Sequence, residues 1–274
     1  MKTEKLKVLY VDVPFIGLCG GDKNRSTFLY ESLVNEYETD ILLIDNNDYS
    51  PEIINAHKIN KLFSLKTKRT AFYLPTSLYD FNQTQKNIFK EILLQNQYDI
   101  VFFKFNSTAI LATMTKKTLP LTNIIIDVDM LSSRICQEAW KNNQSIKNRY
   151  YLFEYFKLLR FENKFLQNDF TFLYTNKTEK NMVSKKYFQK NRHNHKVLPN
   201  IFTAGNHKDE CGYKERFILF YGMLNSTVNE TAYTFLLDEI YPLIEENLIQ
   251  NNIKIVVIGK NKTSVYDKAP RRIK

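Results

Sequence analysis

The residues best suited to chemistry stand where apolar runs stop. Residues 123–126 (NIII) read as a buried strand whose end delivers two carboxylates, Asp127 and Asp129. In open parallel sheets ligands gather at the carboxyl ends of strands, so this pair is well placed to take a proton or hold a ligand hydroxyl. The alternative is structural: Asp129 precedes MLSSRICQEAW and could cap that helix, worth about 1 kcal/mol. A second set follows the first apolar run, where FIGLCGGDKNRS places Gly20 and Gly21 before a helix and Arg25 within it. Glycines there let backbone amides approach a ligand, and a helix N-terminus favours an anion. A tight strand-to-helix turn without ligand, with Arg25 solvated, is the competing reading. The spacing in GLCGGD is not the G-x-G-x-x-G of dinucleotide sites, which argues against NAD. A third set lies near the chain end, where Gly222, Asn225, Ser226 and Asn229 follow FILFY and Gly259 and Lys260 follow IKIVVI. Lys260 could meet a phosphate as a point charge, or sit in an exposed turn.

These residues need a scaffold, and the pattern supplies one. Residues 7–13, 40–45, 99–105, 123–126 and the segment DFTFLYTN read as strands, several of them apolar throughout as in parallel sheets covered on both faces. Helices are expected over about 25–36, 82–95 and 149–167, and over KTEKNMVSKKY. The 149–167 segment places Tyr151, Tyr155, Leu158 and Phe165 near one stripe with Leu152, Phe156 and Leu159 beside it, a breadth expected of core. Residues 45–75 read as irregular. In residues 216–260 a strand, a helix and a second parallel strand read as half of a nucleotide-binding unit. Ala232, Phe235, Leu236, Ile240, Leu243 and Ile244 should form that helix's apolar face.

At 274 residues, with 43% apolar residues including 20 Phe and 17 Tyr, the chain can fill the cores of about two domains. Its three cysteines, Cys19, Cys136 and Cys211, are odd in number and far apart. They suggest neither a disulfide framework nor a C-x-x-C metal site, and a reducing cytoplasm fits. Asp12 and Pro14 interrupt the N-terminal apolar run, which speaks against a signal peptide, and no run approaches the roughly 18 apolar residues of a membrane span. Thirty-nine basic against 29 acidic residues give +10, which favours anionic partners. Lys157, Arg160 and Lys164 fall at helical spacing: a solvated face, or a basic stripe on an anionic membrane surface. No zinc-finger, RRM or helix-turn-helix signature supports nucleic acid.

The strand, glycine turn, helix and strand of residues 216–260 resemble the opening of the second domain of GT-B glycosyltransferases, specifically the large retaining bacterial polysaccharide family that uses nucleotide-sugars. That resemblance implies an α/β, GT-B-like fold of two Rossmann-like parallel-sheet domains. Residues 1–202 would form the acceptor-side domain, 203–215 the linker, and 216–274 the first part of a donor-binding domain that stays incomplete at Lys274. It implies transfer of a sugar from a nucleoside-diphosphate sugar to a glycan or lipid-linked acceptor hydroxyl, at the cytoplasmic membrane face, with no cofactor and no obligatory metal. The cleft would be lined by Gly20, Gly21, Arg25, Gly222, Asn225, Asn229, Gly259 and Lys260, with Asp127 and Asp129 as catalytic candidates. Two departures stand out: D-V-D lacks the family's histidine, and Met223 follows Gly222 where many members have arginine. With the later strands of the donor domain missing, the chain is expected to have little transferase activity. The alternatives are a non-catalytic remnant or binding subunit, and an unrelated nucleotide-dependent Rossmann-like enzyme such as an oxidoreductase.

Overall fold

A computed structural model describes residues 5–15, 21–44, 54–55, 57–69, 75, 78–104, 107–142, 149–187, 194–200, 216–222 and 227–259. The chain divides into two compact units, Met1–Thr203 and Ala204–Lys274.

The first unit is built on strands β1 (Lys7–Asp12), β2 (Glu38–Ile44), β3 (Leu62–Leu65), β6 (Ile100–Lys104), β7 (Asn123–Asp129), β8 (Thr171–Tyr174) and β9 (His195–Val197). A two-residue antiparallel ribbon of β4 (Lys68–Arg69) and β5 (Tyr79–Asp80) lies apart from this sheet. The seven strands run in the order β3-β2-β1-β6-β7-β8-β9, and every neighbouring pair is parallel. Parallel strands need crossovers, and helices α1 (Gly21–Glu36), α2 (Gln83–Asn96), α3 (Ala112–Thr118), α4 (Ser132–Asn142), α5 (Arg149–Phe165) and α6 (Lys177–Tyr187) supply them.

Apolar strand residues therefore go two ways. Leu9, Val11, Val101, Phe103, Ile124 and Ile126 pack on one side with Phe89 and Leu93 of α2 and Phe165 of α5; Tyr10, Ile41, Leu43 and Phe102 pack on the other with Leu29 and Tyr30 of α1. Helix α2 starts where Asn82 and Gln85 form a reciprocal capping box and stops at Gln97, whose φ of 54° is left-handed. Strand β3, placed by the sequence pattern in an irregular region, is an edge strand of four residues, too short to show an alternation.

In the second unit β10 (Phe217–Tyr221) pairs in parallel with β11 (Lys254–Ile258), and residues 227–250 connect them. That connection is not one regular helix. Helix α7 (Thr227–Phe235) passes through a π turn at Leu236–Ile240 into α8 (Tyr241–Gln250), which has a proline in its first turn. The wider turn rotates the buried face, so Tyr233, Tyr241 and Leu248 join Ile255 and Val257 in the core, with Leu236, Leu237 and Ile244 against it. Phe235 and Leu243, expected on the apolar face, point to solvent, Leu243 being 81% exposed. The expected linker at 203–215 lies outside the described residues.

Candidate functional site at the carboxyl edge of the large sheet

Strand order reverses between β1 and β6, and in doubly wound sheets that is where a crevice opens at the carboxyl ends. Both strands end there in a charged residue that is completely buried: Asp12 on β1 and Lys104 on β6. The parallel register puts Lys104 beside Asp127 of β7. Lys104 Nζ lies 3.1 Å from Asp127 Oδ2 and 3.6 Å from Asp129 Oδ2.

Arg25, in the second turn of α1, reaches the same carboxylate from the helix layer. Its Nε donates to Asp127 Oδ2 at 2.9 Å and its Nη2 to Asp127 Oδ1 at 2.8 Å. The remaining N–H groups meet the chain just after β9: Leu198 O at 3.0 Å, Pro199 O at 3.2 Å and Asn200 Oδ1 at 3.0 Å. A guanidinium has five N–H donors, and all five are engaged inside the unit. Arg25 therefore ties α1, β7 and the segment after β9 together; its charge is turned toward Asp127. Asp127, clamped by Arg25 and Lys104, is a buried counter-ion.

Asp129 differs in both position and backbone. The β7–β8 register slips between Asp127 and Asp129, and Asp129 has φ 56°. Met130 N–H donates to Val128 O at 2.7 Å across it, a tight one-residue turn that costs strain in a residue with a Cβ. Thr175 Oγ1 donates to Asp129 O at 3.1 Å and holds the turn from the end of β8. The result is a carboxylate, 23% exposed, at the rim of the cluster with a buried ammonium behind it. Asp129 does not cap the next helix: Ser133 N–H at the start of α4 donates to Glu162 Oε1 of α5 at 3.1 Å, and Ser133 Oγ donates to the other oxygen.

Asp12 completes the floor. Its Oδ2 accepts from Tyr10 Oη at 3.1 Å and its Oδ1 from Val13 N–H at 2.7 Å. Burial pushes its carboxyl up to about 7, although Ser26, Lys104 and the Val13 amide pull the other way.

The structure gathers Gly21 (the first residue of α1), Arg25, Asp127 and Asp129 into the first unit. Gly20 lies outside the described residues. In the second unit Gly222 ends β10, its N–H donating to Ile258 O at 3.0 Å. A Cβ there would stand 3.0 Å from Asn229 Cγ, so glycine is what lets the Asn229 side chain of α7 close over the turn. Gly259 follows β11. Asn225 and Lys260 lie outside the described residues. Sequence reasoning missed Asp12 and Lys104, although the signal that marked Asp127 is present at both: a polar residue ending an apolar strand, in YVD and in FFK. Among the described residues no group of three or more His, Cys, Asp or Glu could hold a metal ion.

The fold so described is α/β and GT-B-like. Solved structures with this fold include the UDP-GlcNAc 2-epimerase from Neisseria meningitidis bound to UDP-GlcNAc, with TM-score 0.53 and 11% identity over 98% of this chain and 71% of that one. A sucrose-phosphate synthase from Thermosynechococcus elongatus has TM-score 0.53 and 11% identity over 96% of this chain and 73% of that one. The UDP-GlcNAc 2-epimerase from Methanocaldococcus jannaschii has TM-score 0.50 and 10% identity over 98% and 72%. No protein-family model matches the chain, and no curated protein matches it in sequence.

Proposed function

We propose that this chain is a nucleotide-sugar enzyme, and specifically a glycosyltransferase that moves a sugar from a nucleoside diphosphate to an acceptor hydroxyl in cell-surface polysaccharide assembly. The observation that carries the reading is the partly exposed Asp129, held on a strained turn at the carboxyl edge of a GT-B-like sheet and backed by Lys104. Strain of this kind persists where the surroundings over-determine it, which is typical of ligand sites. Asp129 would accept a hydrogen bond from, or take the proton of, the acceptor hydroxyl. Arg25, Lys104 and Asp127 would fix its position and charge, acting through it rather than on the substrate. The turn at Gly222 and the start of α7, with Asn225 and Asn229, would receive the donor's diphosphate through backbone amides. Gly20, Gly21, Gly259 and Lys260 are proposed as further contacts, with the nucleotide-sugar as the only small molecule required. Catalysis would come from positioning the partners and stabilising the leaving diphosphate.

A second reading is favoured by the epimerases among the similar folds: epimerisation of the sugar of a nucleotide-sugar, with no acceptor consumed. The two readings separate by product. Incubation with a panel of nucleoside-diphosphate sugars and acceptor glycans should release free nucleoside diphosphate if sugar is transferred. An isomerised nucleotide-sugar with no acceptor consumed would favour the second reading. Asp129→Asn should lower kcat on the order of 100-fold with the fold intact, since a positioned acid or base contributes about that much. Unchanged kcat in that variant would remove Asp129 from the mechanism, and no binding of any nucleotide-sugar would overturn both readings.

A further inference from the structure

The outward face of α5 carries a pattern that the candidate site does not use. Arg149, Phe153, Phe156, Arg160 and Lys164 follow one another at four, three, four and four residues, so they form one stripe along a helix about 25 Å long. All five are exposed, and Phe153 and Phe156 are 71% and 58% accessible. Tyr150, also exposed, and the half-buried Lys157 flank the stripe. Isolated exposed apolar residues are ordinary, but two phenylalanines and a tyrosine on a single helical face are a contiguous patch of the kind that marks a docking surface. Phe156 was expected in the core; Leu158 and Phe165 occupy the buried side instead, and Phe161 stacks on Phe165.

Charge selects the partner. The acidic residues of α5, Glu154 and Glu162, are both buried: Glu154 pairs with Lys157, and Glu162 accepts from Ser133. The exposed stripe therefore presents three cations and no anion. A protein partner would have to match those charges with carboxylates while also accommodating the aromatic rings. A bilayer of anionic phospholipid satisfies both at once, because rings enter the headgroup boundary while guanidinium and ammonium groups meet phosphates. Among the described residues no helix is long and apolar enough to cross a membrane, so any such contact lies in the interface plane.

We propose that α5 is a membrane-docking helix that lays Tyr150, Phe153 and Phe156 into the surface of an anionic bilayer, with Arg149, Arg160 and Lys164 on its headgroups. This stands independently of the nucleotide-sugar reading. The experiment is co-sedimentation of the full chain with vesicles of phosphatidylcholine alone or with about a quarter phosphatidylglycerol. The chain should bind the anionic vesicles and leave the neutral ones in the supernatant. Combined Arg149→Glu, Arg160→Glu and Lys164→Glu should weaken partitioning on the order of 100-fold, from about 1 kcal/mol per basic residue. Phe153→Ser with Phe156→Ser should weaken it roughly tenfold while keeping its salt dependence. Lys116→Glu with Lys117→Glu, exposed at the end of α3, is the charge control and should change binding little. Equal binding to neutral and anionic vesicles overturns the proposal, as does equal loss in the control. So does a chain that ignores vesicles but turns from dimer to monomer in sedimentation when the two phenylalanines are replaced; that result would assign the face to a second copy. All these positions are exposed, so circular dichroism should show native folding in every variant.

Discussion

In the first unit the strands end in charged residues that find partners: Asp127 with Arg25 of α1, Lys104 with Asp127 and Asp129, and Asp12 with the Tyr10 hydroxyl. Among the described residues of the second unit, strands of the same apolar type leave Phe217, Ile218, Leu219, Tyr221 and Ile258 exposed. The seven-stranded sheet has helices on both faces and can bury charges deeply enough to need partners. The two described strands of the second unit have a core of five buried residues, all on the side of α7 and α8. The same sequence pattern, a buried-looking strand with a polar stop, thus yields a rigid electrostatic cluster in one place and an exposed surface in the other. What decides is how many neighbouring elements close over the strand.

The sharpest way to break this contrast is at Asp127. Asp127→Ala leaves Arg25 and Lys104 buried against a weaker counter-charge and should cost about 3–5 kcal/mol in urea unfolding of the first unit. A loss below about 1 kcal/mol would mean that water reaches the cluster. In the second unit Tyr233 is completely buried, and Tyr233→Ala should cost about 3 kcal/mol. Hydrogen exchange should show lost protection confined to residues 217–258 if the units are energetically separate. Protection lost in β1 or β6 as well would show that they are not.

A third test uses pH. The folded-state value of Asp12, about 7, lies above the ordinary carboxylate value, so the folded chain holds this proton more tightly than the unfolded one. Its stability contribution is complete below about pH 4 and is lost as pH rises to about 7. Asp12→Asn can keep the Val13 and Tyr10 contacts without the charge. It should stabilise the chain by about 1–3 kcal/mol at pH 8, with the difference vanishing near pH 4. His195, stacked on Phe172 and Tyr174, has the opposite sign: burial pushes it down to about 4, so its contribution is present above pH 6.5 and is lost as pH falls through 4. In Asp12→Asn, stability between pH 4 and 6.5 should therefore rise with pH, a slope the wild-type chain partly cancels. The smallest expected effect is Leu243→Ser, within about 0.5 kcal/mol in unfolding because the side chain already lies in water. A larger loss would show that this surface is covered in solution.

By itself the sequence determined most of the alternation of strands and helices and their approximate bounds, though not β3, the β4–β5 ribbon or α3, and it placed Asp127 and Asp129 at a strand end. Those follow from local apolar periodicity and from the stops imposed by glycine, proline and polar residues. It could not show that Arg25 turns inward. An arginine on a polar helix turn looks solvated, and only strand order brings Asp127, 102 residues away, and the carbonyls after β9 to it. For the same reason Asp12 and Lys104 stayed invisible as a pair: their meeting depends on β1 lying next to β6, which no local pattern encodes. Helix phase was also settled in three dimensions. A π turn at Leu236–Ile240 buries Tyr233 and Tyr241 and exposes Leu243, because the core is filled by whichever side chains the backbone finally points at it. Long-range neighbours set burial, and burial sets which charges become struts of the fold and which stay open to solvent.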